Sequence, residues 1–167
     1  MLIEKAKKED TMSIHSISKE LNIKYIKNRE NGVLLRIIPK EFIEDNIENF
    51  IVARINKDVV GFLWFSTEYP KDMLEYTELK ANIDGCIYSE QIGVKREFQG
   101  QHIGKELYRF LKNKYNDKGI LVFVNTAPEK NIASLSFHNS IGFKTVGEFY
   151  REDFCGFKDY KANLLKL

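Results

Sequence analysis

Val94-Lys95-Arg96-Glu97-Phe98-Gln99-Gly100-Gln101-His102-Ile103-Gly104-Lys105-Glu106-Leu107 follows an apolar, strand-like run that ends at Ile92 and Val94. It opens into a segment whose apolar residues, Leu107, Phe110 and Leu111, recur at helical spacing. A strand, a glycine-bearing loop and a helix start together form an anion site. The first N–H groups of a helix have no intrahelical acceptor, and the helix dipole favours negative charge there. Gly100 and Gly104 lack a Cβ, so a phosphate can approach the backbone closely. The stretch therefore reads either as a ligand loop for a phosphate-bearing molecule or as a helix start without a ligand.

Two common phosphate loops do not fit. The P-loop needs its second glycine five positions after the first, then Lys and a hydroxyl residue. Here Gly100 precedes Gly104 by four positions and Lys105 is followed by Glu106, which cannot place a hydroxyl on magnesium. The dinucleotide fingerprint G-x-G-x-x-G is absent as well.

The remaining composition narrows the function classes. The chain has 167 residues, 43% of them hydrophobic, enough for one packed core. A net charge of +2 without a basic face argues against nucleic acid. Two cysteines, Cys86 and Cys155, are too few for a disulfide framework, and no Cys/His spacing resembles a metal site. No apolar run approaches a membrane span, and the first residues lack the apolar stretch of a secretion signal. A cytoplasmic protein with reduced cysteines is the expectation.

Working outward, residues 2–5 read as a strand. Asp10 or Thr11 can cap a helix bearing Ile14, Ile17 and Leu21, and residues 28–32 read as a loop. Pro39 precedes a second helical pattern through Phe42, Ile43, Ile47 and Phe50. Residues 51–55 and 59–65 form a hairpin around Asn56-Lys57-Asp58. Residues 68–82 look polar and irregular, and a strand over 85–94 leads into the glycine loop. The apolar run 120–124 suits a central strand. A helix over 131–141 stops at Gly142, and two strands, near 143–150 and 157–165, close the chain.

A second motif lies after the 120–124 strand: Asn131, Ser134, Phe137, His138, Gly142 and Phe143 in Asn131-Ile132-Ala133-Ser134-Leu135-Ser136-Phe137-His138-Asn139-Ser140-Ile141-Gly142-Phe143. With Gln99-Gly100-Gln101-His102-Ile103-Gly104 before it, the chain resembles the GNAT superfamily of N-acetyltransferases. The family's acetyl-CoA loop reads Gln or Arg, two residues, Gly, one residue, Gly or Ala. Here His102 stands where the middle glycine is usual. Histidine is among the non-glycine residues that best tolerate positive φ.

The resemblance implies an α/β (α+β) fold: a mixed, mostly antiparallel sheet splayed at a central strand, helices on both faces, one domain over residues 1–167. It implies acetyl-CoA as cofactor. The backbone of Gln101, His102, Ile103, Gly104 and Lys105, with Gln99 and Gly100, would hold the pyrophosphate, and Ile92 and Val94 would pair with the pantetheine arm. Gly93 would mark the bulge or close approach that admits the cofactor. Asn131, Ser134 and Phe137 would line the cofactor channel, although Asn131 equally suits an N-cap. His138 occupies the position of the family's tyrosine acid, with Tyr108 and Tyr150 as alternative donors. Glu90 shares a strand face with Ile92 and would act as base for the acceptor amine.

The implied reaction is direct transfer of acetyl to a primary amine within a ternary complex; the alternative is a CoA-binding sensor or interaction module without chemistry. The acceptor, a small-molecule or peptide amine, would meet Tyr25, Asn28, Arg29, Tyr88, Glu90, Tyr150 and Arg151. A homodimer through the last strands is a further expectation, and no nucleic acid or membrane partner is expected.

Overall fold

The structure is a computed structural model that describes residues 1–26 and 32–167. It contains eight strands and five α-helices among those residues: β1 (Leu2–Lys5), α1 (Thr11–Glu20), α2 (Lys40–Asp45), β2 (Phe50–Ile55), β3 (Asp58–Ser66), α3 (Lys71–Leu74), β4 (Thr77–Leu79), β5 (Ile87–Val94), α4 (Ile103–Lys114), β6 (Ile120–Ala127), α5 (Ile132–Ser140), β7 (Lys144–Phe154) and β8 (Phe157–Lys166). They fall into two compact units. One comprises Met1–Arg29, Val33–Phe65 and Ser89–Asn116; the other comprises Glu30–Gly32, Ser66–Tyr88 and Asp117–Leu167.

The first unit has the strand order β1-β2-β3-β5, with β2 antiparallel to both β1 and β3. The β2–β3 turn is Asn56-Lys57, where Asn56 takes φ 59°. Asn accepts this left-handed conformation at low cost, so the tight turn matches its sequence. Phe50, Ile51, Val52 and Ala53 are all 0% exposed, so β2 is covered on both faces.

The expected stripe on α1 faces inward, with Ile14 and Ile17 at 0% and Leu21 at 4% exposure. Asp10 sits at the N-cap position without capping. Its carboxylate instead accepts from Arg54 Nη2 at 2.7 Å and from the Lys7 N–H at 2.9 Å.

The second helical pattern ends sooner than its spacing predicts. α2 stops at Asp45, the Asn46 side-chain amide donates to the Phe42 carbonyl at 2.9 Å, and a 3-10 turn over Ile47–Asn49 follows. Phe50 opens β2 and stacks on Trp64 at 5.8 Å. A side chain that bonds locally to backbone competes with continued helix.

The second unit has the order β5-β6-β8-β7-β4. Its core joins Ile83, Cys86, Tyr88, Leu121, Val146 and Leu164. The β7–β8 hairpin turns at Cys155-Gly156, both at positive φ (53° and 81°). β5 and β6 run parallel in a register of two pairs, Ile87↔Ile120 and Tyr88↔Leu121. β5 continues from there to Val94, and β6 to Ala127.

The segment read as irregular contains α3 and β4. β4 is polar and is held by its partner: Glu78 opposes Glu148 in β7, and Lys80 pairs with Glu148 at 2.5 Å.

Candidate functional site

In the first unit β5 delivers the chain to the loop. Gly93 is buried within it, and a Cβ there would lie 2.9 Å from Phe62 Cε1 and 3.0 Å from Leu21 Cδ1. Side-chain packing therefore dictates this glycine, and the close approach is to the core under α1. Ser89 and Gly93 share one face of β5, the face toward α1 and α4. By alternation Glu90 and Ile92 point the other way, and both are half-buried.

After Val94 the Lys95 N–H donates to the Val60 carbonyl at 2.9 Å, and a 3-10 turn spans Arg96–Phe98. The Gln99 side-chain amide then donates back to the Val94 carbonyl at 3.0 Å and closes the loop. The sequence places Gln99 in the cofactor loop; here its side chain braces that loop. The motif's Gln-or-Arg choice was the available signal, since both residue types can donate to a carbonyl.

Two residues of the loop are left-handed: Gly100 at φ 78° and His102 at φ 61°, ψ 9°. His102 thus adopts the conformation for which its residue type was judged suitable. Its carbonyl accepts the first helical N–H, that of Glu106, at 3.2 Å. The N–H groups of Ile103, Gly104 and Lys105 precede that bond and have no intrahelical acceptor. Ile103, 2% exposed, pins the helix start, while Gly100, Gln101, His102 and Lys105 are exposed. A Cβ at Gly100 would meet nothing within 4 Å, so the space over this backbone is open. A concave, positively polarised and accessible backbone results, suited to phosphate oxygens.

In the second unit Asn131 is the N-cap of α5, its Oδ1 accepting the Ser134 N–H at 3.2 Å. Ser134 and Phe137 are half-buried. His138 is 1% exposed and lies edge-on to Phe137 and Phe143, each at 5.0 Å. Its Nδ1 donates to the Ser134 carbonyl at 2.7 Å. Burial pushes its pKa down from 6.5 to about 4, which the Ser134 bond only partly offsets. The ring is neutral at pH 7, with its proton on Nδ1. Desolvation disfavours the charged imidazolium that the expected acid role would use.

Of the alternative donors, Tyr108 is buried in the first unit, where desolvation raises its phenol well above the usual range. Tyr150 is exposed and donates to Asp159 at 3.0 Å. In the second unit Tyr76, Tyr150, Arg151, Glu152 and Asp153 line an open groove of about 370 Å³, with the Arg151 guanidinium 4.5 Å from the Tyr76 ring. Of the expected acceptor contacts, Tyr25 is exposed and Tyr88 is buried. Asn28 and Arg29 lie outside the described residues. Among the described residues no helix is long and apolar enough to cross a membrane.

Residues 14–143 match the model of the Acetyltransferase (GNAT) family. The chain belongs to this family. The match runs through residues of both units and includes the glycine loop and the Asn131–Phe143 motif. Comparison with curated proteins gave no match.

Solved structures share the family fold. The protein smu.2055 from Streptococcus mutans superposes with a TM-score of 0.72 at 20% identity, covering 100% of this chain and 98% of that one. The protein yncA from Salmonella typhimurium, solved with its cofactor acetyl-CoA, gives 0.70 at 18% identity, covering 100% and 92%. Naa50 from Arabidopsis thaliana, in complex with the bisubstrate analogue CoA-Ac-MVNAL, gives 0.68 at 14% identity, covering 99% and 97%. At these identities the likeness is one of fold.

Proposed function

We propose that this GNAT family member is an acetyl-CoA-dependent N-acetyltransferase, a single domain over residues 1–167, that moves acetyl directly to a primary amine in a ternary complex. The observation that carries the reading is the loop of residues 99–105, whose left-handed Gly100 and His102 turn an open backbone toward solvent at the start of α4. Acetyl-CoA bound in yncA, and the CoA-bearing bisubstrate analogue bound in Naa50, both of the same fold, support it.

The residues present fit the donor. The N–H groups of Ile103, Gly104 and Lys105 would take the pyrophosphate oxygens, and the edge of β5 at Ile92 and Val94 would pair with the amide-bearing arm. Bound acetyl-CoA supplies a thioester carbonyl, and the Ile92 N–H would stabilise negative charge developing on its oxygen. Glu90 would take a proton from the ammonium form of the acceptor, directly or through water. The amine loses one proton as its new bond forms and the leaving thiolate gains one, so water can carry the exchange without a protein acid. His138 then serves as packing for the α5 motif.

The acceptor class is any accessible primary amine, in a small molecule or at a peptide terminus. Cys86 and Cys155, read as reduced thiols, support a reducing, cytoplasmic setting. The test is calorimetry with CoA, then thiol release from acetyl-CoA with a panel of small amines, polyamines and peptides. Absence of CoA binding would sink the reading. CoA binding without transfer to any amine would instead assign a sensor. Glu90→Gln should lower turnover while leaving CoA affinity unchanged.

A further inference from the structure

The donor loop is carried by α4, which packs on β1 and β2 of its own unit through a buried side that includes Ile103, Leu107 and Leu111 (2%, 0% and 0% exposed). Apolar contacts of this kind have no preferred direction, so they resist separation far more than sliding or rotation. A polar contact crosses the same buried region. The Ser89 hydroxyl of β5 and the Tyr108 hydroxyl of α4 lie 2.9 Å apart, with Ser89 at 0% and Tyr108 at 2% exposure.

Burying two hydroxyls in a core costs free energy unless they bond to each other, and the bond weakens steeply when stretched or bent. Ser89 lies three residues before Ile92, on the strand whose edge is assigned to the donor arm. Tyr108 lies four residues after Gly104, about one helical turn from the loop. The pair therefore links the two pieces of backbone on which donor binding depends.

We infer that the Ser89–Tyr108 hydrogen bond is a positioning contact that fixes the glycine loop relative to the edge of β5, so that both residues govern acetyl-CoA affinity without touching it. The inference rests on the acetyl-CoA reading above. It differs from a stabilising role in one consequence: removing both hydroxyls together should restore stability without restoring affinity.

The experiment uses the full chain, with CoA as the probe. Tyr108→Phe strands the Ser89 hydroxyl and should lower both the melting temperature and the affinity. Ser89→Ala with Tyr108→Phe leaves two apolar groups, so the melting temperature should return to within about 2 °C of wild type. The Kd for CoA in that double variant should stay about fivefold above wild type, the scale of one net hydrogen bond. Recovery of the Kd along with the melting temperature overturns the inference, as does a Kd unchanged in the single variant. If wild type itself fails to bind CoA, the acetyl-CoA reading falls and this inference with it.

Discussion

The Nδ1 atom of His138 lies 2.7 Å from the Ser134 carbonyl oxygen, and a carbonyl can only accept, so the neutral ring carries its proton on Nδ1. With the ring buried against Phe137 and Phe143, its pKa falls from 6.5 to about 4. The unfolded chain therefore binds more protons than the folded one between those values. Stability from this site is complete above pH 6.5 and is lost as pH falls toward 4. The full loss is about 3 kcal/mol. Urea unfolding of wild type and His138→Phe at pH 7.5 and 4.5 checks it. The variant should lose about 2 kcal/mol less than wild type over that interval. Equal losses would show that His138 is protonated in the folded protein.

The same ring bears on catalysis. Being neutral at pH 7, it contributes no acid, so His138→Phe should keep turnover within about threefold of wild type, a difference of under 1 kcal/mol. Steady-state assay with any amine that wild type acetylates decides the point. A fall of two orders of magnitude would return His138 to the reaction.

Much of this molecule is legible in its sequence because local chemistry and global fold agree. β1 at Leu2–Lys5, the Asn56-Lys57 turn and the Gly142 stop each follow from residue type. The left-handed His102 was legible too, since few other non-glycine residues suit the position. Where the sequence misled, a partner made the decision. Thr77–Leu79 carries no strand pattern and is a strand because β7 lies beside it. Phe50 fits helical spacing, yet the Asn46–Phe42 bond ends the helix first. The acid role expected of His138 turns on a related point: a motif position gives the residue type, while protonation depends on burial that no spacing records. The contacts of Asn28 and Arg29 lie outside the described residues.

Gly93 is replaceable only at a cost. A Cβ there would come within 2.9 Å of Phe62 and 3.0 Å of Leu21, both in the filled core beneath α1. Gly93→Ala should lower stability by about 1–3 kcal/mol, the range for overpacking. Denaturant melts read this directly, and a loss under about 0.5 kcal/mol would mean the core rearranges freely.

His102 holds φ 61°, which glycine adopts freely and a β-branched residue resists. His102→Val should therefore be less stable than His102→Gly by about 1–2 kcal/mol. His102→Gly should also bind CoA at least as tightly as wild type, because removing the side chain opens the backbone further. Weaker binding by His102→Gly would instead give the imidazole a direct role in holding phosphate.

Gly104 distinguishes ligand binding from folding most sharply. It lies in the first turn of α4 and, unlike Gly100, is not at positive φ, so a side chain is compatible with the helix there. Gly104→Val should leave the fold intact, with a helix-propensity change under about 1 kcal/mol. Its isopropyl group, however, would stand over the N–H groups that precede the first helical bond. CoA affinity should fall by at least about tenfold, equivalent to 1.4 kcal/mol. Calorimetry and a thermal melt on the same sample separate the two effects. Retained CoA binding with an unchanged melt would place the pyrophosphate elsewhere on the chain.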